Sequence, residues 1–475
     1  MRALRKKDLL FVTAFAQTAS VICAALVIAP SVHSAEQPTA SDLVAGYRYN
    51  VAAFRKCRIT WLGIQENKDA WFRVKLRRAT ALANEPPSSG KATRTPKAVD
   101  VDALNSAPRF FCQPQDLWTD GISVQVRTPI GAISNAETAL NFKFPDEPLN
   151  GETLPTIYRS LRIVSYQPTP PRSLRVWAGS EGDGEPSGLV GGGKVDQRQT
   201  KFSFPAFIGA DLAASKNSIH PIDGFFSQSV ADMKVLGEDM VEGNHCIVLE
   251  HRAKQDVTQI FGDDESGLTL ELVQTAWIAV NQGCIPLRIA MERQWFHEGK
   301  SLSKGQSSPF QTVDVTNIEV LEGRYFYPML GVVKNLIPDP DDPKWTLAGP
   351  TAKELREGKR PHIAQVVSRE SSWLVHRIQL HPMMSDEMFA FDFPDQTPYF
   401  DEVAQKGLIQ GVPEEELNRM IAEHDRVTSG DLAHEVPGRG TSRVFLVLVN
   451  LVIVGILIYI GYRARKNRGS SDADR

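Results

Sequence analysis

The sequence predicts a mainly β, α+β protein: one large antiparallel sheet with a few helices, followed by a single C-terminal membrane helix. Three features predict it. Apolar and polar residues alternate along most of the chain, helical periodicity is sparse, and a long uncharged run lies near the C-terminus.

The alternation is clearest in four runs. In "WFRVKLRR", Phe72, Val74 and Leu76 alternate with Arg73, Lys75 and Arg77, and in "GISVQVRT", Ile122, Val124 and Val126 alternate with Ser123, Gln125 and Arg127. In "PLRIAMERQW", Leu287, Ile289, Met291 and Trp295 share one parity, and "MFAFDFP" puts Phe389, Phe391 and Phe393 on one face. Period-two alternation means one buried and one wet face, as in antiparallel sheets. "RITWLGI", "HCIVLEH" and "LVQTAWIAV" are more continuously apolar and read as strands covered on both faces. The parity of "QTVDVTNIEVLE" shifts near Asn317, which fits a bulge. Together the pattern gives about nine to eleven strands.

Two helices are expected. "SDLVAGYRYNVAAF" spaces Leu43, Tyr47, Val51 and Phe54 along one face with Ser41 as N-cap. "PEEELNRMIAEH" has Pro413 in the first turn, acids beside it, and Leu417, Met420 and Ile421 on one side. The Gly-, Pro- and Ser-rich stretches near 84–98 and 179–194 read as loop insertions.

The ends set the compartment. Residues 444–462 carry no charge, and nineteen helical residues reach roughly 28 Å, close to the thickness of a bilayer's hydrocarbon core. Arg463, Arg465, Lys466 and Arg468 follow, against Arg443 alone before the run, so the tail 463–475 is expected in the cytoplasm. At the other end Arg2, Arg5, Lys6 and Lys7 precede an apolar stretch and "SVHSA", where Val32 and Ser34 fit cleavage of a signal peptide, 1–34. An uncleaved N-terminal span is the alternative. Either way the domain 35–411 is exported, with a helix and polar stalk, 412–443, leading to the membrane.

Export changes how cysteine is read. Cys23 lies in the leader, leaving Cys57, Cys112, Cys246 and Cys284, and an oxidising compartment suggests two disulfides. A meander of the strands around "HCIVLEH", "LVQTAWIAV" and "CIPLRIAM" brings Cys246 near Cys284, leaving Cys57 with Cys112. The near balance of 53 basic and 56 acidic residues argues against nucleic-acid binding.

No catalytic signature appears: there is no HExxH, GxSxG or Walker loop. "SLSK" at 301–304 lies in a polar turn, and Asp339, Asp341 and Asp342 lack the spacing of a calcium loop. His376 and His381 have opposite strand parity, which disfavours a shared metal. The basic stripe Arg73, Lys75, Arg77 and Arg78 reads as a wet strand face, with anionic lipid headgroups as the alternative partner. The expectation is a non-enzyme with no cofactor.

"VLGEDMVEGNHCIVLEHR", "TAWIAVNQGCIPLRIAMERQ" and "VDVTNIEVLEGRYFYP" resemble the turn-and-strand pattern of LolA/RseB-like outer-membrane lipoprotein-carrier proteins. "LVAGYRYNVAAFRKCRITW" is similar to their first helix and strand, and "FAFDFPDQTPYFDE" to the closing segment of related envelope proteins. The resemblance, over about 41–71 and 225–400, implies a curved, incompletely closed antiparallel barrel with helices on its concave face. It also implies a protein of the bacterial envelope that holds a lipid or an acylated protein. The two insertions and the membrane span depart from the family pattern, because a tethered protein cannot shuttle far. The candidate apolar wall is Phe72, Val74, Leu76, Ile122, Val124, Val126, Leu287, Ile289 and Met291, whose competing role is simple core packing. The expected function is a single-pass inner-membrane protein with a periplasmic binding domain. Its alternative is a protein-docking or stress-regulatory module with a filled barrel, with an exported hydrolase behind both.

Overall fold

The computed structural model describes residues 37–84, 109–131, 133, 136–147, 149, 152–167, 173–180, 185–191, 206, 220–255, 268–302, 309–347, 351–357, 363–384, 388–389 and 391–428. Met1–Thr39 and Ala40–Arg475 form two compact units, and the following concerns the second. The expected signal peptide, 1–34, and membrane span, 444–462, lie outside the described residues. Among the described residues no helix is long and apolar enough to cross a membrane.

Sixteen strands form one sheet. In chain order they are β1 (Cys57–Asn67), β2 (Phe110–Thr119), β3 (Val124–Pro129), β4 (Leu161–Gln167), β5 (Ser173–Ala178), β6 (Ser187–Gly191), β7 (Met233–Val241) and β8 (Asn244–Gln255). Then come β9 (Leu268–Ala279), β10 (Ile285–His297), β11 (Lys300–Ser301), β12 (Pro309–Leu321), β13 (Tyr325–Pro338), β14 (Gln365–Leu380), β15 (Pro398–Asp401) and β16 (Lys406–Ile409). The spatial order is β16-β15-β6-β5-β4-β3-β2-β1-β14-β13-β12-β10-β9-β8-β7, with β11 beside β10. Two antiparallel meanders therefore meet where β1 pairs with β14. Only β15 against β6 is parallel among these pairings.

Turn chemistry supports the meanders. The two-residue hairpin loops Glu242–Gly243 and Glu298–Gly299 have positive φ at both positions (50° and 81°, 47° and 76°), the twist that two-residue hairpins require. The parity shift near Asn317 is a bulge: the register of β12 on β13 slips on both sides of that residue.

The helices are α1 (Ala40–Ala52), α2 (Asp69–Asn84), α3 (Ala136–Leu140), α4 (Pro221–Phe226), α5 (Ala352–Arg356) and α6 (Glu414–Thr428). The first and last match the two expected from sequence. Residues of α1 and α4 and strand residues on one side of the sheet share a single apolar cluster, from Val124 and Val126 through Trp61 and Trp373 to Ile289 and Leu249. That side is called the core face. The other, outer face carries a second cluster around Tyr158, Ile163, Trp177, Phe391 and Phe393.

Several expectations need correction. "WFRVKLRR" is not a strand but part of α2. Its alternation covers only three apolar positions, while Phe72, Leu76 and Ala79 also fit helical spacing, Asp69 sits in the first turn, and Ala, Leu, Arg and Lys are strong helix formers. The expected loop 179–194 contains β6, where a Cβ on Gly188 would lie 2.7 Å from the Phe393 ring, so glycine lets that ring pack on the strand.

The described residues of "MFAFDFP" form no strand. They cross the outer face of β3, β4 and β5, with Phe389, Phe391 and Phe393 all buried. Side chains hold its backbone: Gln125 donates to the Met388 carbonyl, Ser165 to that of Phe389 at 2.6 Å, and Arg175 to that of Phe391.

No disulfide joins the four cysteines, which are free and buried. Cys57 faces Thr119 on β2, whereas Cys112 faces Ile64, seven residues further along β1, or about 23 Å. Cys246 packs with Leu287 on the outer face while Cys284 belongs to the core-face cluster, and β9 separates their strands. A bridge needs Cα atoms within about 7 Å.

Candidate functional site

Three residues place α1 on the sheet. Tyr47 donates 2.5 Å to Asp223 of α4 and stacks on Phe226, with ring centroids 3.8 Å apart. Asn50 pairs with the main chain of Phe326 at the start of β13. Gly46 faces the turn before β10, where a Cβ would lie 2.5 Å from Cys284 Sγ. Burial and the neighbouring Asp223 hold the Tyr47 phenol well above its ordinary pKa, so it stays a donor.

His220 caps α4: its Nδ1 accepts from the Ile222 N–H at 3.3 Å, and its ring meets Trp373 edge-on at 4.7 Å. Burial lowers its pKa to about 3, so it is neutral. Trp373 in turn lies over Gly331, where a Cβ would come within 2.3 Å of the indole, and donates to the Pro328 carbonyl at 3.0 Å. These helices fill one end of the core face.

Away from them, strand register assembles a row that no local stretch of sequence reveals. Met233 faces His251, His251 faces Gln274, and Gln274 faces Met291. Met291 faces Gln311, Gln311 faces Asn335, Asn335 faces Arg369, and Arg369 faces Asn67. Directly opposed residues of antiparallel strands point to the same face, so these side chains form one line across eight strands, about 34 Å long. One step nearer the helices the line is apolar over six strands, Val235, Leu249, Ala276, Ile289, Val313 and Val333, and polar over the last two, Ser371 and Gln65.

The polar row is half covered. Met291, Gln311, Asn335 and Arg369 are half-buried, whereas His251, Gln274 and Asn67 are buried. Gln311 Nε2 donates to Asn335 Oδ1 at 2.9 Å, and Asn67 Oδ1 accepts from Arg369 Nε at 3.3 Å and from Gln65 at 3.4 Å. Gln274 donates to Met291 Sδ at 3.8 Å and also bonds the neighbouring His251, whose Nδ1 finds no partner among the described residues. Beyond the row lie Leu272, Leu270, Trp295, Ile337 and Val366, with Arg293 opposite Leu272 and over the Phe310 ring, and with Leu355 of α5 packed near Leu268 and Trp295.

The candidate wall residues fall into five groups. Val124, Val126 and Ile289 are at most 1% exposed and belong to the closed, helix-filled core. Met291 is half-buried in the polar row. Ile122 is 60% exposed in the turn before β3, so it lines nothing. Phe72, Val74 and Leu76 sit on α2 rather than on a strand. Leu287 is turned to the outer face by a bulge: Pro286 faces Ile278 and Arg288 faces Trp277, which leaves Leu287 as the extra residue, packed with Cys246 and Trp277.

The outer face holds a buried ionic group on β1, β2 and β3. Asp116, fully buried, accepts from Arg58 at 2.8 Å and lies 3.9 Å from Arg127, and both guanidinium groups lie over the Trp118 ring. Arg127 also donates to the Gln125 side chain and the Pro145 carbonyl at 2.8 Å. Every partner is the protein's own, as expected of a structural network. Among the described residues no group of His, Cys, Asp and Glu is arranged to hold a metal ion. Asp341 pairs with Arg73, and Asp339 Oδ1 accepts from the Asp341 N–H at 2.9 Å, as in a self-contained turn.

No family model matches the sequence, and no curated protein matches it. Among solved structures it is similar to an outer membrane lipoprotein-sorting protein domain from Vibrio parahaemolyticus, at 9% identity and a TM-score of 0.28, covering 74% of this chain and 97% of that one. It is similar to a DUF1329 family protein from Desulfovibrio piger at 11% identity and 0.29, covering 73% and 96%. A LolA superfamily protein from Nitrosomonas europaea follows at 10% and 0.29, covering 74% and 98%. The resemblance read in the sequence is thus met again among solved structures. Likeness at these values carries no function from those proteins to this chain.

Proposed function

We propose that the chain is an exported, membrane-anchored binding protein of the bacterial envelope that holds an apolar or acylated ligand on the core face of its sheet, without catalysis. One observation carries this reading. The core face is closed by α1 and α4 at one end, but at the other, where Leu355 of α5 packs near the buried Leu268, residues Leu272, Trp295, Ile337 and Val366 stay half-buried beside a polar row. An apolar surface edged by a few placed polar groups is the usual make-up of a site for such ligands.

The anchoring half of the proposal rests on the uncharged run 444–462 and the basic residues after it, and export rests on the basic, then apolar N-terminus. The filled end of the core face favours a second reading, a docking module that recognises a protein through its outside. The full chain, released from membranes and extracted with organic solvent, separates the two. Ligand binding predicts a stoichiometric amphiphile in the extract by mass spectrometry, and an extract matching that of an unrelated single-span protein overturns it.

A further inference from the structure

We propose that the polar row is a headgroup site, in which Arg369, flanked by Asn67 and Asn335, takes the carboxylate or phosphate of an anionic amphiphile whose tail lies on Leu272 and Trp295. This rests on the binding reading above and gives it a ligand class.

The charge pattern carries the argument. On the outer face three strand cations are paired with acids: Arg288 and Lys334 each lie 3.0 Å from Asp314, and Arg252 lies 2.7 Å from Glu250. On the core face Arg369 has Asn67 Oδ1 as its hydrogen-bond partner and no carboxylate within 4.0 Å among the described residues. The row itself holds amides, a histidine, two methionines and this one arginine, but no acid. A half-covered guanidinium beside neutral amides offers free N–H donors in the fork that suits a carboxylate or phosphate.

A purely structural role does not account for the row. The neighbouring line is apolar from Val235 to Val333 and turns polar only at Ser371 and Gln65, and removing polar groups from water costs stability unless each is partnered. His251 is 4% exposed, and its Nδ1 has no partner among the described residues. Polar atoms held ready beside an apolar ledge fit an amphiphile better than a wholly apolar ligand.

The test uses the full chain in native membranes and a photoactivatable long-chain fatty acid with a diazirine near its tail end. Its methyl ester, which lacks the charge, is the comparison probe. The acid should label β9 and β10 peptides, R369Q should lower that labelling by about tenfold or more, and R369K should restore much of it. The ester should label wild type and R369Q alike, and R252Q, changed on the outer face, should label like wild type. Oleate should compete and acetate should not. Equal acid labelling of wild type and R369Q overturns the headgroup site while leaving the binding reading intact. Competition by acetate makes the row a site for free anions and overturns the amphiphile, and absence of labelling by either probe overturns the binding reading itself. R369Q thermal melting alongside wild type separates loss of the site from loss of the fold.

Discussion

Asn50 exchanges two hydrogen bonds with the main chain of Phe326, 276 residues away: its Nδ2 donates to the carbonyl and its Oδ1 accepts from the N–H, each at 2.8 Å. The side-chain amide thus completes the backbone pairing at the start of β13, and Asn50 is 2% exposed. Asn50→Ala strands a buried N–H and a buried C=O, which costs about 2 kcal/mol or more. Chemical denaturation should show a lower midpoint, with a wild-type midpoint counting against this clamp.

His220 makes stability depend on acid. Its folded pKa, lowered by burial to about 3, lies below the unfolded value, so the unfolded chain binds a proton first as pH falls. Stability should be complete above about pH 6.5 and decline from there toward about pH 3. His251 and His376, also lowered by burial, act in the same direction. His220→Asn, which can still cap α4, should flatten the fall in melting temperature between neutral and mildly acid pH without abolishing it. An unchanged slope would place the titration elsewhere.

The cysteines should all be thiols. Burial pushes Cys57 up to about 12 and raises Cys112, Cys246 and Cys284, which keeps them protonated and unreactive in the folded chain. Alkylation without reductant should miss all four in native protein and modify all four in denaturant. Peptide mapping that finds any of them oxidised to a bridge would contradict the separations along β1 and across β9.

Asp116 anchors two arginines, so removing it leaves buried positive charge. Asp116→Ala should destabilise by about 3–5 kcal/mol, far more than loss of an exposed pair such as Lys406–Glu414. Paired unfolding curves of D116A and E414A test the contrast, and similar losses would show that the ionic group carries no special weight.

Local pattern revealed part of this fold and register revealed the rest. Val124, Val126 and Ile289 were legible because strict alternation carried them to the buried face, and Asn317 because its bulge interrupts that alternation. Phe72 misled because three alternating residues fit both a strand and a helix. Leu287 misled because a bulge at its own position reverses its face, and nothing in "CIPLRIAM" marks it. The row from Met233 to Asn67 was illegible for a different reason. It draws one residue from each of eight strands, and only their hydrogen-bonded alignment brings them into line.

The account turns on which side of the sheet holds the ligand. A photo-crosslinking amino acid placed at Met291, in the polar row, or at Arg288, on the outer face of the same strand, reports this in the intact cell envelope. Binding on the core face predicts an amphiphile adduct from position 291 and none from 288. Equal adducts from both positions, or an adduct from 288 alone, would contradict it.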